Sequence, residues 1–137
     1  MSETSHSGSV DDLLAYLAAS PTAFHAASAS VDRLEDAGFV ALDETERFVL
    51  EAGGAYYVRR GDASVIAFRT GRKPTEKTGF AVVGAHTDSP SLRVKYPLQN
   101  ESEGYRTVPV EVYGGPILST WVDRGLGLAG RVIARSD

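Results

Sequence analysis

His86 and Asp88, separated by one residue, are the pair in this sequence whose types and spacing best suit chemistry. On an extended backbone, side chains two positions apart leave the same face, so the imidazole can bind a metal while the carboxylate accepts a hydrogen bond from its other ring nitrogen. Such an acceptor fixes the tautomer and orients the ligand. The bare tripeptide also has a purely structural explanation, because Asp88-Ser89-Pro90 carries turn chemistry and could simply end a strand. The residues before it bear on that choice. Phe80-Ala81-Val82-Val83 is an unbroken apolar run, the pattern of a strand buried on both faces, and ligands in open α/β sheets bind at the carboxyl ends of strands.

The elements that must position this pair are legible in outline. Residues 1–9 are polar and Ser-rich, which predicts a disordered tail containing His6. Leu13, Leu14 and Leu17 recur at helical spacing after Asp11 and Asp12, predicting a short helix over Val10 to Ala19. Ser20-Pro21 reads as an N-cap with proline in the first turn. Phe24, Ala27, Val31 and Leu34 then mark one face of a second helix over 21–37, until Gly38 stops it. His25 on this helix has no ligand-type neighbour at three or four residues' spacing and reads as structural. Arg47 to Leu50, Ala55 to Arg60 and Ser64 to Arg69 are β-like runs separated by Gly53-Gly54 and Gly61-Asp62, which predicts two successive hairpins. Gly71 to Gly79 reads as a polar loop. Beyond the HxD motif, Leu92 to Val94, Val108 to Tyr113, Ile117 to Trp121 and Arg131 to Ala134 look like further strands.

Composition narrows the function. The 137 residues with 42% hydrophobic content suffice for a domain with a core. The absence of cysteine and of a basic-then-apolar N-terminus predicts a cytoplasmic chain. No apolar stretch approaches the roughly 20 residues that span a bilayer, so a membrane role is not expected. Net charge −4 argues against nucleic acid, and the one basic cluster, Arg69, Arg72, Lys73 and Lys77, lies in a loop-like stretch.

The longer pattern settles the reading of the tripeptide. Val82-Val83-Gly84-Ala85-His86-Thr87-Asp88-Ser89-Pro90, then Leu92 to Lys95, Val110 to Gly115, Ser119-Thr120-Trp121, Asp123-Arg124 and Leu128 to Val132, closely resembles the aspartyl aminopeptidase family of cocatalytic zinc peptidases. Ser20 to His25 resembles that family's start. The resemblance implies that His86 binds one of two zinc ions and that Asp88 is the catalytic-site residue orienting it. The remaining ligands and the general base would belong to motifs C-terminal to this segment. It also implies the N-terminal part of a mixed-sheet α/β/α metallopeptidase domain over 10–93, running into an inserted β-rich dimerisation domain over 94–137. Peptide substrates with an acidic first residue and homo-oligomeric assembly follow from the same resemblance. Gly125 departs from the pattern, since the family commonly has aspartate after the Asp-Arg pair.

Two readings of other classes stay open. The chain could be a non-catalytic dimerising or peptide-binding module. Alternatively, Gly125-Leu126-Gly127-Leu128-Ala129-Gly130 spells GxGxxG, a dinucleotide-binding signature when a helix follows it, although Arg131 to Ala134 reads as β. Trp121 reads as a packed anchor.

Overall fold

The computed structural model describes residues 4–73, 75–96 and 100–135, and the chain divides into two compact units. One comprises 1–88 with 129–137; the other comprises 89–128.

In the first unit, helix α1 covers Thr4–Ala19 and helix α2 covers Ala23–Asp36. Helix α1 therefore starts well inside the stretch expected to be a disordered tail. Once Leu13 to Leu17 have nucleated the helix, each further turn fixes little more than it gains in hydrogen bonding, so residues of modest propensity join it. The cap of α2 is Thr22 rather than Ser20: its side chain accepts a hydrogen bond from the His25 amide. Gly38, at φ +80°, ends α2 in the left-handed conformation, and the Phe39 amide reaches back to the Leu34 carbonyl at 2.9 Å.

A three-stranded mixed sheet follows, in the order β1 (Val40–Ala41), β2 (Ala55–Arg60), β3 (Ser64–Arg69). Strand β1 runs parallel to β2, and β2 runs antiparallel to β3 with Tyr56 opposite Phe68. The expected strand over Arg47 to Leu50 does not form, so there is one hairpin here and not two. Strand β1 takes the neighbouring place in the sheet that the first hairpin was expected to fill. The hairpin turn uses Gly61 and Asp62, both at positive φ, which glycine adopts freely and aspartate tolerates.

Strand β2 carries the core. Tyr56, Tyr57 and Val58 are buried in succession, which on a strand means that both faces are covered. Tyr57 faces α2, where its hydroxyl donates to Glu35 at 2.5 Å. Tyr56 faces the other way, packing on Phe68 at 5.7 Å between ring centroids and accepting from the Glu51 amide. Ala26, Ala27 and Val31 of α2 complete the buried set; two alanines let the helix lie close to the sheet.

The loop expected over Gly71 to Gly79 contains a single helical turn, α3 (Thr75–Thr78). The larger correction concerns Phe80 to Val83. These residues form no ladder, and Phe80, Val82 and Val83 are 84%, 85% and 99% exposed. An apolar run signals a preference for burial, but a doubly covered strand also needs partner strands, and none of the described strands pairs with this segment.

In the second unit, β4 (Ser91–Val94) pairs antiparallel with β7 (Val110–Tyr113), and β5 (Asn100–Ser102) pairs with β6 (Tyr105–Thr107). The turn between β5 and β6 places Glu103 and Gly104 at positive φ. Leu118–Thr120 is a 3-10 turn and not the strand expected over Ile117 to Trp121; the Thr120 hydroxyl closes it on the Ile117 carbonyl at 2.7 Å. Arg131 to Ala134, returning to the first unit, is not a strand either.

Candidate metal centre

Residues 79–90 run without a ladder, and Thr87 makes a bend between His86 and Asp88. The bend brings the His86 ring back onto its own chain. Nδ1 lies 2.7 Å from the Asp88 carbonyl oxygen and 3.2 Å from its carboxylate Oδ1. A carbonyl oxygen can only accept, so Nδ1 donates to it, and Nε2 is the ring nitrogen left for a metal. The imidazole is 80% exposed, which leaves that nitrogen accessible. The shorter contact is therefore to the main chain, with the carboxylate close enough to share the same proton.

Thr87 fixes the bend from the other side. Its hydroxyl donates to the Ala63 carbonyl at 2.8 Å, across 24 residues of sequence. Ala63 closes the β2–β3 turn, and its neighbour Asp62 is held by Arg131, whose Nη1 lies 2.8 Å from Oδ2. The Arg131 guanidinium also sits over the Phe24 ring of α2 at 4.5 Å from the centroid. Sequence reasoning missed Thr87, Asp62 and Arg131. Gly61-Asp62 was recognisable as a turn, but nothing in a linear pattern links it to residue 87 or 131.

An imidazole with one nitrogen engaged by an oxygen acceptor and the other open is the arrangement zinc takes from histidine. His86 and Asp88 fit that arrangement. A catalytic zinc usually has three protein ligands. Among the described residues no group of three or more His, Cys, Asp or Glu gathers to hold a metal ion, so the segment offers one arm of a site.

The other sequence candidates are accounted for locally. The His25 ring nitrogen Nδ1 lies 2.8 Å from the Thr22 hydroxyl, within the helix cap. Arg69 of the basic cluster stacks over Phe39 at 5.0 Å. No helix follows Gly130 through residue 135, so the GxGxxG run lacks the helix N-terminus that phosphate binding needs. The space around Gly125 is open, and nothing in the structure requires glycine there. Trp121 is half-buried. No described helix is long and apolar enough to cross a membrane.

Comparison with known proteins gives this geometry a family context. The family described as aminopeptidase I zinc metalloprotease (M18) matches residues 16–137. The probable M18 family aminopeptidase 2 of Ectopseudomonas mendocina is 52% identical over 128 residues, covering 93% of this chain and 30% of that protein. The chain thus spans about a third of the length of the curated relatives it matches. Among solved structures, a chain from the cryo-EM structure of the Ape4 and Nbr1 complex superposes with TM-score 0.77 at 41% identity, covering 82% of this chain and 22% of that one. The S. cerevesiae mApe1 dodecamer superposes with TM-score 0.73 at 28% identity, covering 83% of this chain and 27% of that one.

Proposed function

This chain belongs to the M18 family of aminopeptidase I zinc metalloproteases, and we propose that it is the N-terminal, His86-bearing part of an enzyme that hydrolyses the first residue, Asp or Glu by preference, from peptides. The observation that carries the reading is the His86 ring, with Nδ1–H donated to Asp88 and Nε2 open. In this reading His86 is a zinc ligand through Nε2. Asp88 keeps the ring from rotating and fixes its tautomer, first through its carbonyl and second through its carboxylate. Two zinc ions, when bound, supply Lewis acidity toward the scissile carbonyl and a nucleophilic water at neutral pH. The other ligands and the general base lie outside this segment.

The reading extends to assembly and place. The stretch from residue 94 to 128, within the second unit, is taken as the opening of an inserted β-rich domain, and homo-oligomerisation is inferred from the mApe1 relative, which is a dodecamer. A cytoplasmic location belongs to the same reading.

The test is peptidase assay of the full-length protein on peptides that differ only in the first residue. Release of N-terminal Asp or Glu, abolished by a chelator and restored by zinc, is the expected result. Equal release of leucine would remove the acidic preference, and no metal-dependent release of any residue would overturn the assignment.

A further inference from the structure

We propose that Thr87 is a positioning residue for the His86 imidazole, acting by fastening the HxD bend to the β2–β3 turn. The inference rests on the reading of His86 as a zinc ligand and adds to it a group that touches neither metal nor substrate. None of the described strands pairs with residues 79–90, and the residues leading into the bend are largely solvent-exposed. A ligand on such a segment needs a fixed point nearby, because a metal site tolerates only about half an ångström of drift in its donors. The Thr87 hydroxyl provides one, donating to the Ala63 carbonyl at 2.8 Å.

The acceptor is itself held in place. Ala63 follows Gly61 and Asp62, the two positive-φ residues that set the hairpin's reversal. The Asp62 carboxylate is bound by Arg131 at 2.8 Å, and the Arg59 guanidinium donates to the Asp62 carbonyl at 3.2 Å. Arg131 in turn lies on Phe24. The hairpin turn, α2 and the returning segment at 129–135 are therefore linked to the residue between His86 and Asp88. Freed from Ala63, residue 87 could still bend, but the direction in which His86 presents Nε2 would no longer be set by the sheet.

The experiment measures zinc affinity of the full-length protein by competition with a chromogenic chelator, alongside thermal unfolding. Thr87→Val, which keeps the shape and removes the hydroxyl, and Thr87→Ala are both expected to bind zinc roughly 10-fold more weakly, at the low end of outer-ligand effects. Thr87→Ser, which keeps the hydroxyl, should bind like the wild type. Arg131→Gln should weaken zinc binding less than Thr87→Val. If Thr87→Val is too unstable to measure, the comparison of Thr87→Ala with Thr87→Ser decides in its place. Wild-type affinity in the variants lacking the hydroxyl, or equal weakening in Thr87→Ser, would overturn the proposal. His86→Ala keeps the two claims distinct. If it loses zinc while Thr87→Val and Thr87→Ala do not, only the positioning role fails; if it retains full zinc, the underlying reading of the site fails first.

Discussion

The Nδ1 atom of His86 sits closer to the Asp88 carbonyl oxygen, at 2.7 Å, than to the Asp88 carboxylate, at 3.2 Å. The main chain therefore does part of the orienting that the HxD pattern assigns to the side chain. Asp88→Asn keeps the carbonyl and loses only the charge of the second acceptor. Its expected cost is about 10-fold in zinc affinity, the lower end of the range for outer partners, and excess zinc should restore activity. A zinc titration of the full-length variant checks this; a loss far above 100-fold would mean that Asp88 binds metal directly.

The 137-residue segment by itself should hold zinc weakly and release no amino acid from peptides, because the described residues gather no third ligand. Equilibrium dialysis against zinc and an aminopeptidase assay on the purified segment test both statements. Tight, stoichiometric zinc binding by the segment would show a site formed from residues other than His86 and Asp88.

Tyr57→Phe should destabilise the segment by about 1 kcal/mol at neutral pH. Hydrogen bonds to charged groups contribute about 1.5–3 kcal/mol, but Glu35 is exposed and water can replace the lost donor. The bond to Glu35, followed by desolvation, holds the Tyr57 phenol above its ordinary value. A raised folded-state pKa means that the stabilisation is complete below the unfolded phenol value of about 10 and is lost as pH rises through the folded value. Urea unfolding of both proteins should therefore give a constant difference from pH 6 to 9 that shrinks in more alkaline solution. A difference that grew above pH 10 would contradict the geometry.

Gly54→Ala should also destabilise the segment, through crowding. A Cβ at residue 54 would lie 2.5 Å from the Tyr56 ring and its hydroxyl oxygen. Tyr56 is buried against Phe68 and accepts from the Glu51 amide, so the ring cannot move aside without losing both contacts. Overpacking of this kind costs about 1–3 kcal/mol. The same unfolding measurement decides, and a neutral result would show that the ring relocates freely.

What was legible in the sequence follows from what local pattern encodes. Phe24, Ala27 and Val31 at helical spacing with Gly38 beyond them specify α2, and the β-branched and aromatic runs either side of Gly61-Asp62 specify the β2–β3 hairpin. The mixed α/β class and the family were both readable through the resemblance carried by the long motif around His86. Phe80 to Val83 misled because an apolar run states that a segment prefers burial without naming the strands that would cover it. The β5–β6 hairpin was missed because Asn100-Glu101-Ser102 is polar, and the signal that could have found it is Glu103-Gly104 at the turn. The Thr87–Ala63 and Arg131–Asp62 contacts join residues 24 and 69 positions apart and have no local signature.

The central claim is that His86 binds zinc through Nε2, and metal analysis of His86→Ala in the full-length protein tests it most directly. The account predicts that zinc falls from about two ions per chain towards one, with activity nearly abolished and not restored by excess zinc, since a metal bond is missing rather than misaligned. A His86→Ala protein that kept both ions and near wild-type activity would contradict it. The HxD bend would then be only a turn that ends an extended segment.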